Sequence, residues 1–376
     1  MSGIKKIRVG LIYGGKSGEH EVSLSTALAV TKAFNYDKYE IVPFYITKDG
    51  EWRNGRLLQA PVEHSGLLQY EADKNKPAGS AIMPLFTDAS QPVGSSGVMS
   101  IDVMFPLLHG TFGEDGTIQG LFEIANVPYV GAGVLASAVG MDKVIMKKLF
   151  AQAGLPQCMY RYFTRKQWEK DASYHTMEIE VSLGYPCFIK PANLGSSVGI
   201  SKARNREELV AAIDLALRYD RKVIVEEFID AREIEVSVLG NEEPRASVPG
   251  EITSSSEFYD YQAKYTDGNS SMMIPANISA ELTEELRSLA IRAFQAIDGS
   301  GLSRVDFFVQ KHDNQIMINE VNTMPGFTPF SMYPLMWRET GVPYQELLDT
   351  LIQLALERFE EKQQIDFGNN QPQTVV

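Results

Sequence analysis

Four residues near the end of the chain have the types and spacing of a cation and phosphate site. Arg304 and Asp306 stand two apart in Ser-Arg-Val-Asp-Phe, and Glu320 and Asn322 stand two apart in Asn-Glu-Val-Asn-Thr. Strand side chains alternate between faces, so each pair shares a face. A turn around 311–314 pairs the two strands as a hairpin and brings 306 near 320. Two carboxylates and an amide then converge beside an arginine. All the donors are oxygen, which suits Mg²⁺ and suits zinc poorly. A solvated polar strand face is the plain alternative. Against it, Met317 and Val321 are expected on a buried opposite face, so the acidic side must look into a cleft or water. Arg304 could stabilise charge on a transferred phosphoryl group or a tetrahedral oxyanion; an ordinary surface arginine is the other reading.

A second constellation is Lys190-Pro-Ala-Asn-Leu-Gly-Ser-Ser-Val-Gly199. Small residues let backbone approach a ligand, and N–H groups of such a loop can cradle phosphoryl oxygens. Lys190 adds a positive charge at a strand end. A serine-rich hairpin turn is the bland alternative. By contrast, Gly10 to Ser17 fits the literal G-x-x-x-x-G-K-[ST] pattern but reads as a decoy. A phosphate loop needs its strand before the first glycine, and Gly10 lies inside the apolar run. Strand, sharp Gly14-Gly15 turn and helix N-terminus is the better reading. That helix end still attracts negative charge.

These residues must be held by alternating elements. The opening IRVGLIYGG reads as a buried strand, followed by a helix with Leu24, Leu28 and Thr31 on one stripe. KYEIVPFYIT is a strand, and Asp49-Gly50 and Asn54-Gly55 read as hairpin-type turns. Residues 60–98 look like an elaboration. VMSIDVMFPLLHG is another buried strand, and TIQGLFEIANVPYVG adds a helix and a short strand. This alternation argues for an α/β domain with a mainly parallel sheet and its ligand side at the strand C-termini. The texture changes near 140: a helix closed by Gly154 and Pro156, a strand–loop–strand around 186–200, a helix capped by Asn205 with Glu208 three residues on, and the strand KVIVEEFI. The last unit starts with EIEVSVLG. Residues 249–275 read as a long functional loop, then come a helix, the two strands of the carboxylate hairpin, a helix near 343–361 and a loose tail. The expected domains are 1–140, 141–230 and 231–376.

The 376 residues allow two or three domains. With 44% hydrophobic and 22% charged residues the chain is an ordinary folded protein. A net charge of −13 disfavours a nucleic-acid partner. Cys158 and Cys187 form no CxxC and read as reduced thiols of a cytoplasmic protein. No long uncharged apolar run suggests a membrane span.

Taken together, the motifs resemble those of the D-alanine–D-alanine ligases of the ATP-grasp superfamily. The matching pieces are GGKSGEHEVSL at 14–24, HGTFGEDGTIQG at 109–120, MDK at 141–143, KPANLGSSVG at 190–199, EFYDYQAKY at 257–265, GLSRVDFFV at 301–309 and NEVNTMPGFTPFSM at 319–332. They occur in the family's order over about 1–360. The resemblance implies α/β and α+β units in a three-domain ATP-grasp fold with an N-terminal parallel-sheet domain. It implies ATP and Mg²⁺, two ions with Mn²⁺ able to substitute, D-alanine as substrate, and a homodimer. Glu19 would hold the first substrate's ammonium, with His109 beside it. Lys143, Lys190 and Lys264 would meet the ATP phosphates. Glu226, Glu227, Phe228 and Ile229 would form the adenine-side strand, and Glu233 would take the ribose. Ser196 would link Glu19 to Tyr265 of the mobile loop. Arg304 and Gly326 would flank the reacting carbonyl, Asp306, Glu320 and Asn322 would bind magnesium, and Ser331 and Met332 would take the second substrate's carboxylate.

The implied chemistry is phosphorylation of one D-alanine carboxylate by ATP and attack of a second amine on the acyl phosphate. No histidine is an obvious base, and an unshifted tyrosine near pKa 10 is a poor one at pH 7. The intact F-Y-D-Y-Q-A-K-Y favours an amine over the D-lactate hydroxyl as second substrate. The alternatives are a D-alanyl–D-lactate ligase, another ATP-grasp carboxylate–amine ligase, and a nucleotide-binding protein without turnover.

Overall fold

The computed structural model describes residues 5–71, 100–195, 198–254 and 270–366. The apolar opening run forms β1 (Ile7–Gly14), and α1 (His20–Ala33) follows the double-glycine turn. β2 (Tyr39–Ile46), β3 (Trp52–Asn54), a 3₁₀ turn at Ser65–Leu68, β4 (Val103–Pro106) and α2 (Thr117–Ala125) complete the first unit. Its sheet runs β3-β2-β1-β4, with β1 parallel to both β2 and β4 and only β3 antiparallel. Gly10 pairs with Val42 and Met104 in the middle of this sheet, and a β-carbon there would meet Met104 Sδ at 2.5 Å. Gly10 therefore serves sheet packing and opens no phosphate loop.

Next come α3 (Val134–Met141), α4 (Lys143–Gln152), β5 (Tyr160–Thr164), α5 (Arg165–Lys170), α6 (Ala172–Ser182), β6 (Cys187–Pro191), β7 (Ser201–Ala203), α7 (Arg206–Ala216) and β8 (Lys222–Glu227). Antiparallel pairings give the sheet β5-β8-β6-β7. Helix α7 starts as its sequence requires: Asn205 Oδ1 accepts the Glu208 N–H at 2.9 Å. Its buried face is Leu209, Ala212, Ile213 and Ala216. Asp142 caps α4 in the same way, accepting from the N–H groups of Val144 and Ile145.

The remaining elements are β9 (Ala231–Gly240), β10 (Arg245–Ala246), β11 (Gly250–Ser254), β12 (Ser270–Met273), α8 (Ala280–Ala296), β13 (Gly301–Gln310), β14 (Ile316–Asn322), α9 (Met332–Glu339) and α10 (Tyr344–Gln363). They build the antiparallel path β12-β11-β9-β13-β14, with β10 paired to β9. Met146 and Phe150 of α4 pack into this sheet's core beside Phe294, Ile318 and Val321. Leu347, Leu348, Leu351 and Ile352 of α10 pack instead with Val9, Leu11 and Phe105 of the first sheet. The last helix thus buries its apolar stripe, at roughly 1.5–3 kcal/mol per large side chain, on the unit that carries Glu19.

Four expectations change. Asn54-Gly55 makes no hairpin: the chain runs on beside β2, with Gly55 N–H donating to Pro43 and Leu58 bridging Ile41. Asp49-Gly50 does turn, with Gly50 at φ +89°. Segment 249–275 is not a loop throughout, because β11 and β12 pair antiparallel at its two ends; residues 255–269 lie outside the described set. Strand β8 stops at Glu227, so Phe228 and Ile229 follow it rather than belong to it. On β14 the buried residues are Ile316, Ile318 and Val321, whereas Met317 is only partly buried. The ladder explains this: Asp306 faces Glu320, but Phe307 faces Ile318, so Asn319 is an inserted residue and the register shifts there. Without that bulge Glu320 would share the buried face of Ile318. The extra residue turns it onto the Asp306 face.

Candidate active site

A cleft of about 540 Å³ opens where the three sheets meet. Its walls include Glu19, His109, Lys143, Arg304, Glu320, Asn322, Gly326, Ser331 and Met332, nine residues from seven separate stretches of sequence.

Glu19 stands just before α1 and makes no side-chain cap to that helix. Its Oε2 approaches two glycines: a β-carbon at Gly110 would lie 2.9 Å from it, and one at Gly195 would lie 3.5 Å away. Gly110 also has φ +70°, a left-handed value that favours glycine. The His109 loop thus closes on this carboxylate only because Gly110 lacks a side chain at the contact, whereas a β-carbon at Gly195 would make an ordinary contact.

His109 is buried, with Nδ1 3.2 Å from the Met324 carbonyl and 3.6 Å from Glu114 Oε1. Burial alone would lower its pKa, but the Glu114 carboxylate, with Glu19 and the Met324 carbonyl behind it, raises it on balance. Burial in turn raises the pKa of Glu114, whose Oε2 accepts the Gly110 N–H at 3.1 Å.

On the facing sheet, Arg304 grips Asp306 with two bonds of 2.7 Å and lies 2.9 Å from Glu235 Oε2. Asn322 Nδ2 donates to Asp306 Oδ2 at 2.9 Å. Burial would discharge the guanidinium, but Asp306 and Glu235 hold its pKa well above the usual arginine value. Lys143 Nζ donates to the Leu194 carbonyl at 3.0 Å and lies 3.4 Å from Glu320 Oε2, so it ties the Gly/Ser loop to the acidic strand.

Among the described residues no three His, Cys, Asp or Glu side chains form a cluster that could hold a metal alone. The mixed set Asp306, Glu320 and Asn322 nevertheless fits a hard cation. Asp306 and Glu320 are register partners and Asn322 lies beside them, donating through Nδ2 to Asp306, so carboxylate and amide groups with the oxygens such a cation takes stand together.

Ser331 occupies the N-cap of α9, with its Oγ 2.8 Å from Thr328 Oγ1. Gly326 passes close by, since a β-carbon there would meet Ser331 Oγ at 3.1 Å. The Met332 side chain is buried with Ile252 and Met336, which leaves its backbone N–H as the group able to meet an anion at this helix start.

Two family profiles match the chain: "D-ala D-ala ligase N-terminus" over residues 8–132 and "D-ala D-ala ligase C-terminus" over 149–353. The chain belongs to the D-alanine–D-alanine ligase family. A D-alanine–D-alanine ligase of Bacillus velezensis is 59% identical over 94% of this chain and 99% of its own length. One from Bacillus licheniformis is 56% identical over 96% and 99%. Among solved structures, the D-alanine–D-alanine ligase of Coxiella burnetii superposes with a TM-score of 0.79 at 34% identity, covering 96% of this chain and 97% of that one. The VanG D-Ala:D-Ser ligase of Enterococcus faecalis gives 0.75 at 38% identity, covering 93% and 100%. The fold is that of the ATP-grasp ligases.

The remaining described residues singled out by sequence do not line the cleft. Asp306 sits beside it through Arg304 and Asn322. Lys190 and Glu226 form a buried pair at 2.5 Å. Glu227 accepts the Met159 N–H at 2.6 Å, Phe228 is exposed with Lys202 Nζ 4.3 Å over its ring, Ile229 is partly buried and Glu233 is exposed at the start of β9. Ser196, Lys264 and Tyr265 lie outside the described residues. Sequence reasoning missed Glu114, Glu235 and Lys147. Glu235 had a usable signal: Ile234, Val236 and Val238 alternate with Glu233, Glu235 and Ser237, which marks a polar strand face. Cys158 and Cys187 are buried and free. No described helix is long and apolar enough to cross a membrane.

Proposed function

We propose that this chain joins two D-alanines into D-alanyl-D-alanine, with ATP converted to ADP and phosphate, for peptidoglycan precursor synthesis. The observation that carries the reading is the convergence in one cleft of an ammonium-binding carboxylate, an arginine–carboxylate cluster and a helix N-terminus. Those are the three recognition elements that two amino acids and a triphosphate require.

Glu19 binds the ammonium of the first D-alanine, and the His109–Glu114 pair fixes the loop around it. That substrate's carboxylate takes the γ-phosphoryl group of ATP, with Lys143, Lys190 and Lys264 holding phosphate oxygens. Asp306, Glu320 and Asn322 would hold Mg²⁺, two ions in this reading, with Mn²⁺ a workable substitute. Bound there, the metal neutralises charge on the phosphate oxygens. Ser331 and the Met332 N–H orient the second D-alanine by its carboxylate, so that its amine attacks the acyl phosphate. The oxyanion that forms lies between Arg304 and the Gly326 N–H, and phosphate then leaves. Arg304 is suited to this role because Asp306 and Glu235 hold it charged and in place. Glu226, Glu227, Phe228 and Ile229 line the adenine side and Glu233 meets the ribose. Ser196, Lys264 and Tyr265 enter on the family pattern alone.

The same reading divides the chain into units 1–140, 141–230 and 231–376 and makes it a cytoplasmic homodimer, which light scattering on the purified protein checks. The acyl phosphate is tested by trapping. Hydroxylamine added with ATP, Mg²⁺ and D-alanine should yield D-alanyl hydroxamate. ATP turnover with no hydroxamate and no dipeptide would remove the intermediate from the scheme.

A further inference from the structure

Behind the nucleotide side of the site lies a buried charge cluster that the steps above do not use. Lys147 is one helical turn beyond Lys143 in α4 and is 1% exposed. Its Nζ lies 2.9 Å from Glu226 Oε1, while Lys190 Nζ lies 2.5 Å from Glu226 Oε2. Glu226 is itself 3% exposed. Lys147 also donates to Cys158 Sγ at 3.5 Å, and burial keeps that thiol protonated by raising its pKa. The cluster is therefore two ammoniums sharing one carboxylate; Glu320 also acts on Lys190 from the cleft side but is itself paired with Lys143, so these five groups together carry one net positive charge.

An uncompensated buried charge is costly, and an apolar residue of the same length would often be neutral or better for stability. The excess calls for a use. Lys147 does not line the cleft, and it faces the Glu226 oxygen turned away from Lys190. Lys190 begins the Gly/Ser loop that runs on to Leu194 and Gly195 at the cleft wall. A lone Glu226–Lys190 pair would be close to neutral towards an arriving anion. With Lys147 neutralising Glu226 from behind, the Lys190 charge is available.

We propose that Lys147 is a positioning residue for the nucleotide: it occupies one oxygen of Glu226 and so leaves Lys190 with net positive charge directed at the nucleotide phosphates. The inference rests on the reading of Lys190 and Glu226 as nucleotide contacts. It also gives a use to a lysine that is 1% exposed and does not line the cleft.

The test is titration of ADP into the full-length protein by calorimetry, together with steady-state kinetics. Lys147→Met should raise the ADP Kd and the ATP KM at least tenfold, with kcat and the D-alanine KM values within threefold of wild type. Lys147→Arg, which keeps the charge, should return the ADP Kd to within threefold. Lys147→Gln carries the same expectation as Met if the Met variant does not fold. Unchanged ADP binding in the neutral variants overturns the proposal. So does an equal loss in Lys147→Arg, which would make the role one of shape, or a parallel rise in the KM values of ATP and D-alanine. Failure of the wild-type protein to bind ADP would instead refute the function reading beneath it.

Discussion

Replacing Gly110 by alanine should damage the first amino-acid site more than it damages the fold. The new β-carbon would lie 2.9 Å from Glu19 Oε2, against an ordinary contact of 3.4 Å or more, so the carboxylate must retreat by about 0.5 Å. It is the free end of a flexible side chain, so the retreat itself is cheap. What it costs is alignment with the substrate ammonium. A hydrogen bond to a charged group is worth about 1.5–3 kcal/mol, and losing it entirely weakens binding about 10- to 150-fold. The φ of +70° adds a separate penalty for alanine, roughly 1–2 kcal/mol of stability. Gly154→Ala separates the two effects. That glycine has φ +64° and nothing within 4 Å of its would-be β-carbon, so it carries the backbone strain without the contact. Initial rates over a wide D-alanine range give both substrate constants. The first-site KM of Gly110→Ala should rise about tenfold or more, with kcat within threefold. Gly154→Ala should match it in thermal destabilisation and leave both KM values alone. An unchanged first-site KM in Gly110→Ala, or an equal rise in both variants, would refute the placement of Glu19.

Asp306→Asn should lower kcat by at least about 10²-fold, the scale of losing one electrostatic stabiliser, and should raise the Mg²⁺ concentration needed for half-maximal rate; metal-dependence curves check this. Glu114→Gln should lower the pKa of His109, since that carboxylate is what lifts the imidazole against burial; an NMR titration of the His109 ring reads it directly. Glu226 is held down to about 2 by Lys147 and Lys190 against the opposing effect of burial. A depressed carboxylate contributes stability fully above its ordinary value near 4.3 and loses it as pH falls towards 2. Urea unfolding of the wild type should therefore weaken across that window. Glu226→Gln should show a shallower slope there and a lower stability at pH 7, where two buried ammoniums lose their counter-ion.

The carboxylate hairpin was legible because strand periodicity is a local property: a turn near 311–314 brings 306 close to 320, though a regular ladder would pair 306 with 319. The bulge at Asn319 was not. It is a backbone event, and strict alternation put Met317 where Ile318 belongs. The cap of α7 could be read from Asn205 and Glu208 alone. Asn54-Gly55 has equally strong turn chemistry, yet the chain stays extended there because Pro43 and Ile41 of β2 offer it hydrogen-bond partners. Helix α6 gave little signal, with only Thr176 and Ile179 buried along its length. The partners of Glu235 and Lys147 were hidden for a different reason, even though alternation along β9 marks Glu235 as part of a polar face. Each reaches its partner across a gap of more than sixty residues, and only the packing of β9 on β13 and of α4 against β8 brings the charges together. The family motifs named the cleft's walls; the supporting charges behind them needed three dimensions.

The most direct measurement follows product mass and phosphate together. The purified protein is incubated with ATP, Mg²⁺ and D-alanine, with L-alanine, D-serine and D-lactate as comparators. Phosphate release that depends on D-alanine, with D-alanyl-D-alanine formed one for one, is the expected result. Phosphate release only with L-amino acids, or turnover that yields an ester with D-lactate in preference to the dipeptide, would contradict it.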